Sequence, residues 1–307
     1  MRVVIALGGN ALQRRNEPAD PRLRQRHLQI AAGAIADIAR HHQVIVTHGN
    51  GPQIGMMALA GTVSGRSDPL DELVAESQGV MGYLIERELV CALPGREVAT
   101  LLTQVEVDAK DPGFASPSKP IGRSYSEMET WKLASKQAWR MVRDGIAFRR
   151  AVPSPEPHRI RELPAIKLLL DAGIIVICCG GGGIPVVTEA DGSLRGVEAV
   201  IDKDLSAALI ATQINADGLL LLTDVTAVSA EWGDPSSKRI AQATPEQLRQ
   251  FHFAPGSMGP KVEAACRFVE NTDGTAFIGA LEDAAALLSG TAGTLVRRSV
   301  EPIRYHA

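Results

Sequence analysis

Three lysines stand where a cation could meet an anion. Lys203 lies in Ile201-Asp202-Lys203-Asp204, where an apolar run meets the start of a helical pattern. Lys261 follows Gly259-Pro260, again at a helix start, and Lys119 sits in the stiff stretch Ser116-Pro117-Ser118-Lys119-Pro120. Helix N-termini favour anions because their first N–H groups have no intrahelical partner and the helix dipole is positive there. Phosphoryl transfer asks for little covalent help. It needs cations and N–H dipoles that hold phosphates in line. Most lysines are surface groups, so it is context rather than residue type that singles these out. Asp202 and Asp204 flank Lys203 and could cap the helix or position the lysines and touch Mg2+; Asp204 reads as positioning the lysines and Asp202 as a helix cap.

Three glycine-rich turns could supply the N–H groups. They are Gly8-Gly9-Asn10, Gly49-Asn50-Gly51 and Gly180-Gly181-Gly182-Gly183. Without a Cβ, several backbone N–H groups can converge on one anion. Each turn follows an apolar, β-branched run: Val3 to Leu7, Val44 to Thr47, and Ile174 to Ile177. In a parallel sheet, ligands sit beyond the carboxyl ends of the strands, which puts the three turns at one edge and makes them one site. Taken singly, each turn is as well explained by tight chain reversal. Neither G-x-x-x-x-G-K-[ST] nor G-x-G-x-x-G occurs, which disfavours a P-loop enzyme and a dinucleotide-binding domain.

The elements between these turns alternate. Leu28, Ala31, Ile35 and Ile38 fall at helical spacing, and a long helix runs over 70–93 with Leu73, Val80, Leu84 and Leu89 among its apolar positions. A strand is expected over 98–103, and helices near 161–172, 203–214 and 259–269. Strands are expected over 219–223 and 276–279, and a closing helix over 281–288. Val186-Val187 and the stretch 197–200 flank a turn at Asp191-Gly192. Thr244 with Pro245 marks a helix start. The alternation predicts an α/β fold around a largely parallel sheet. The segment 111–157 breaks the pattern with six prolines and weak periodicity, and reads as a small inserted subdomain or lid in a single domain spanning 1–307. Arg149-Arg150 and Arg159 to Arg161 read as a solvated basic face.

Composition narrows the function classes. Of 307 residues, 32 are Lys or Arg and 35 are Asp or Glu, a net charge of −3 that argues against a general nucleic-acid or membrane binder. Aromatic residues are only 4%, too few for stacking on bases. No apolar run approaches the ~20 residues of a membrane span. No H-E-x-x-H or G-x-S-x-G occurs, and the seven histidines show no metal-ligand spacing. The cysteines Cys91, Cys178, Cys179 and Cys266 form no C-x-x-C pair. Cys178 and Cys179 read as buried residues of an apolar strand. A reduced, cytoplasmic setting without a signal peptide is expected.

Taken in order, these motifs resemble the carbamate kinases of the amino acid kinase fold. The resemblance rests on Ala6-Leu7-Gly8-Gly9-Asn10-Ala11, His48-Gly49-Asn50-Gly51-Pro52-Gln53, Leu102-Thr103-Gln104-Val105 and Lys119-Pro120-Ile121-Gly122. It continues through Val152-Pro153-Ser154-Pro155, the run from Cys179 to Val187, Gly196 to Asp204, and His252 to Met258 with Pro260-Lys261. It implies an open, mostly parallel eight-stranded sheet between helices, a small protruding subdomain and a homodimer. It implies reversible, Mg2+-dependent phosphoryl transfer between carbamoyl phosphate and ADP, giving ATP and carbamate. By resemblance, Gly8, Gly9, Asn10, Gly49, Asn50 and Gly51 take the carbamoyl side. Lys119 reaches over from the subdomain, Lys203 and Lys261 hold phosphates, and Asp204 orients them. Gly180, Gly181, Gly182, Gly183 and Met258 fall to the nucleotide side, and no residue is assigned as a direct metal ligand. The chain departs from the family at Asp224-Val225-Thr226-Ala227-Val228, where an aromatic usually helps enclose the base, and at Gly122-Arg123-Ser124-Tyr125. These departures keep open a relative acting on another small carboxylate or phosphate, or a metabolite-binding relative without catalysis.

Overall fold

The structure is a computed structural model. It describes all residues except 10–19, 64, 66–67, 138, 146, 232–236, 255, 257, 300–301 and 307. The chain opens with β1 (Arg2–Leu7), α1 (Pro21–Ala39), β2 (Gln43–His48), α2 (Gly51–Val63) and α3 (Leu70–Ala92). The apolar run at 98–103 is divided. β3 (Val98–Thr100) ends early, and the chain resumes as β4 (Gln104–Glu106) in another sheet. The proline-rich segment folds as α4 (Pro112–Ala115), β5 (Lys119–Tyr125), α5 (Glu127–Gln137), β6 (Arg140–Asp144) and β7 (Ala147–Val152). Next come β8 (Arg159–Ile160), α6 (Leu163–Asp171), β9 (Ile175–Ile177), β10 (Ile184–Thr188), β11 (Leu194–Gly196) and α7 (Lys203–Gln213). The last part holds β12 (Gly218–Thr223), β13 (Val228–Ser229), β14 (Arg239–Ala243), α8 (Pro245–Leu248), α9 (Met258–Asn271), β15 (Thr275–Ala280), α10 (Ala284–Leu288), β16 (Thr294–Val296) and β17 (Arg304–Tyr305).

The main sheet runs β13-β14-β16-β15-β12-β1-β2-β9-β3, with β17 added on β14. Six neighbours, from β15 to β3, are parallel. Ten strands stand where eight were expected, because the two-residue β13 and β17 extend the β14 end. The central strands are buried on both faces, which is why they read as continuous apolar runs. Their side chains alternate between two cores. Val4, Ala6, Ile45, Val176 and Leu221 pack with Ala207 and Ala211 of α7 and Phe268 of α9. Val3, Ile5, Val44, Val46, Ile177 and Leu220 pack with Leu28 and Ile35 of α1 and Met81 of α3.

Several details differ from expectation. Val80 shares the helical spacing of α3 yet is exposed, with Tyr83 and Val90 on the same outer face. Cys178 and Cys179 lie just past β9, and both are buried. Across the turn at Asp191-Gly192, β10 pairs antiparallel with β11, which ends just before 197–200, and on its other side β10 pairs with β4. Arg149 and Arg150 are half-buried rather than a solvated face. Arg149 bonds Gly122 O and Asp144, and Arg150 lies over the Trp139 ring. Thr244 does cap α8, in a full capping box with Gln247.

Within 111–157, β5, β7 and β6 form a separate antiparallel sheet. It roots against α2 with backbone on backbone: a Cβ on Gly55 would stand 1.9 Å from Cα of Gly122. Only glycine permits that approach.

Candidate active site

The three glycine-rich turns follow three adjacent parallel strands, β1, β2 and β9, and so meet at one sheet edge. A Cβ on Gly49 would lie 3.1 Å from the Gly9 nitrogen and 3.4 Å from Cδ of Lys203. Gly8, Gly9, Gly49 and Lys203 are thus brought together, and Gly51 lies beneath the Pro120 carbonyl of β5. Asn10 lies outside the described residues.

The third turn is packed tightly. Gly180, Gly181, Gly182 and Gly183 are all buried. The N–H groups of Gly182 and Gly183 donate to Cys179 O and Gly180 O, which closes the turn on itself. Gly181 has φ 67°, and a Cβ there would stand 1.9 Å from Nδ2 of Asn50. These glycines therefore let the turn lie against the Asn50 amide and the His48 ring.

Asn50 is held from the other side. Its Nδ2 donates to Ser77 Oγ at 2.6 Å, and the Ser77 hydroxyl donates in turn to Val74 O at 2.7 Å. Gln78 donates to Gly180 O at 2.9 Å and accepts from Thr103 N at 2.8 Å. Ser206 on α7 donates to Gly182 O at 2.7 Å. Ser77, Gln78 and Ser206 went unread in the sequence, and Thr103 entered only within the stretch 102–105, with no role of its own. A polar pair on a helix carries no mark of burial, and only the fold shows which face is covered.

The lysines form two arrangements. Asp204 accepts from Lys203 Nζ at 2.5 Å through one oxygen and from Lys261 Nζ at 2.7 Å through the other. The three side chains are 5%, 11% and 10% exposed, respectively. Lys203 and Asp204 open α7, and Lys261 lies in the first turn of α9. Burial opposes the Asp204 charge, but the two ammonium groups override it and hold the carboxyl well below its usual range. Burial brings Lys203 down to about 8 against the pull of Asp204. Lys261 shifts the opposite way, because Asp204 outweighs its burial. In the second arrangement, Lys119 Nζ donates to Asp202 Oδ2 at 2.6 Å.

His48 is fully buried, and burial holds its imidazole down to about 4, so the ring is neutral at pH 7. Met258 is buried at the start of α9, within the apolar core. No cluster of three or more His, Cys, Asp or Glu suited to a metal ion occurs among the described residues. The oxygens of Asp204 are taken by lysines. Those of Asp202 are taken by Lys119 and the α7 amides, so neither carboxylate fits the part of a direct metal ligand.

Buried cations beside glycine turns at the carboxyl edge of an α/β sheet suit a phosphoryl-transfer enzyme. Residues 1–280 match the amino acid kinase family model, and the chain belongs to that family. It is 50% identical over 311 residues to a carbamate kinase of Rhizobium meliloti, covering 100% of this chain and 96% of that protein. It is 47% identical over 310 residues to a carbamate kinase of Haemophilus influenzae, covering 100% of both. The solved carbamate kinase of Giardia lamblia bound to AMP-PNP superposes with a TM-score of 0.86 at 37% identity, covering 97% of this chain and 98% of that one. Within the family, this chain stands among the carbamate kinases, and it is a phosphotransferase.

Proposed function

We propose that this site moves a phosphoryl group reversibly between carbamoyl phosphate and ADP, giving ATP and carbamate. The observation that carries the reading is the buried Lys203–Asp204–Lys261 bridge beside Gly8, Gly9 and Gly49. Two ammonium groups fixed by one carboxylate offer preorganised positive charge where the transferring group gains negative charge. Carbamate is already an anion, so no general base is needed, and burial leaves His48, held down to about 4, too weak a base to serve as one. In this reading the amides of Gly8, Gly9, Gly49 and Gly51 and the side chains of Asn10 and Asn50 receive the carbamoyl side. Lys119 closes over it. Lys203, Lys261 and Met258 border the nucleotide, and residues 180–183 wall the site by holding Asn50 in place.

In this reading Mg2+ would be carried by the phosphates of ADP or ATP, since Asp202 and Asp204 are committed to lysines. When bound there, it supplies charge neutralisation to the phosphates. The exposed apolar stripe of Val80, Tyr83 and Val90 on α3, near the sheet-edge strand β3, supports a homodimer through that face. Four free cysteines support a reduced, cytoplasmic setting, and no helix among the described residues is long and apolar enough to cross a membrane.

Supplying ADP, Mg2+ and carbamoyl phosphate to the purified protein should yield ATP in a coupled luminescence assay. ATP absent under these conditions, with another small acid phosphorylated from ATP, would replace the substrate assignment.

A further inference from the structure

The side chain of Asp202 does two things at once. Its Oδ1 accepts from the backbone N–H groups of Asp204 at 2.9 Å and Leu205 at 3.3 Å, which caps α7. Its Oδ2 accepts from Lys119 Nζ, 83 positions away in sequence and on the separate three-stranded sheet. The cap orients the first turn of the helix that carries Lys203 and Asp204. The same carboxylate therefore joins the start of that helix to the lysine that opens β5. A second contact runs in parallel: Val200 N donates to Pro153 O at 2.9 Å, tying the same loop to the end of β7. Lys119 and Asp202 are 21% and 17% exposed, so the pair is partly screened but not solvated away.

We propose that Asp202 is a positioning residue that holds the Lys119 ammonium over the site and fixes its distance from Lys203. The inference rests on the carbamoyl phosphate reading above. A lysine head on a four-carbon stem samples many rotamers, and ordering it costs free energy that substrate binding would otherwise have to supply. With one N–H bonded to Asp202, two remain to meet an anion. Asp202 touches no reacting atom in this scheme; it acts through Lys119.

Asp202→Asn separates the two duties. Asn caps helices as well as Asp does, so the cap survives while the charge pair is lost. The variant should melt within a few degrees of wild type. Its KM for carbamoyl phosphate should rise about 10-fold, with a smaller fall in kcat, as expected for lost ground-state ordering. In a Lys119→Ala background, Asp202→Asn should change KM less than about 2-fold, because the group it positions is gone. Asp202→Ser, which also caps and carries no charge, repeats the measurement should the Asn variant fold poorly. An unchanged or lowered KM in Asp202→Asn overturns the proposal. So does the same factor appearing on top of Lys119→Ala, which would mean that Asp202 acts on Lys203 or on the helix alone. A wild-type protein that makes no ATP from carbamoyl phosphate fails the substrate reading instead, and the two failures are distinct.

Discussion

Asp202 and Asp204 stand two residues apart at the start of α7, and each binds lysine, yet they belong to differently built regions. Asp204 is surrounded by the main-sheet core and holds two lysines that are themselves nearly covered. Asp202 is at the margin of that core and holds one lysine that arrives on another sheet. In the first region, the charges cannot be separated without leaving one of them buried and unpaired. In the second, either partner can turn to water at modest cost. One region is fixed by burial on every side. The other lies nearer solvent, where Lys119 keeps one N–H on Asp202 and has two left to meet an anion.

The contrast can be tested by stability first. Asp204→Ala strands two buried ammonium groups and should cost roughly 3–5 kcal/mol in a denaturant titration. Lys119→Ala should cost only about 1 kcal/mol or less. Similar losses from the two would erase the distinction. Turnover should respond next: Lys203→Ala should lower kcat by roughly 10²–10³-fold in the coupled ATP assay, with folding preserved by circular dichroism.

The pH profile sharpens the same division. Raising pH removes the Lys203 proton near its value of about 8, so kcat should fall on the alkaline side of about 8. Asp204 pulls that value up, so Asp204→Asn should move the fall to lower pH, while Lys119→Ala should leave it where it is.

The last pair of predictions concerns glycines. Gly181→Ala carries φ 67° and a 1.9 Å collision with Asn50, and should lower kcat/KM at least about 10-fold beside a loss of roughly 2 kcal/mol in stability. Gly192→Ala has φ 83° but open space around it, and should cost about 1 kcal/mol with kcat unchanged. Equal kinetic effects from the two would deny Asn50 its place in the site.

How much of this could be seen in the sequence follows from where each signal resides. β1, β2 and β9 were legible because strands covered on both faces must be apolar throughout, and each ended in glycine. Lys203, Asp204 and Lys261 were legible as helix-start residues, a local property. The strands β14 and β16 were not, since Arg239–Ala243 and Thr294–Val296 are short and mixed in polarity. Val80 shows that helical spacing identifies a helix but not which apolar residue faces inward. Asp202 was legible as a cap because its amides are two and three residues away, whereas its bond to Lys119 depends on the path of the whole chain between them. The four glycines after β9 suggested an anion cradle. Their crowding against Asn50 and His48 is a property of packing, invisible until neighbouring strands are set side by side.

The contact between Gly55 and Gly122 has a mechanical meaning. With no side chain between the two backbones, it fixes the spacing between the three-stranded sheet and α2. Lys119 lies three residues to one side, within about 10 Å along the strand. α5, with the exposed Met128 and Trp131, follows the strand's other end. A tilt that preserved this contact would carry the ammonium, three residues away, through a shorter arc than the helix beyond the strand's other end.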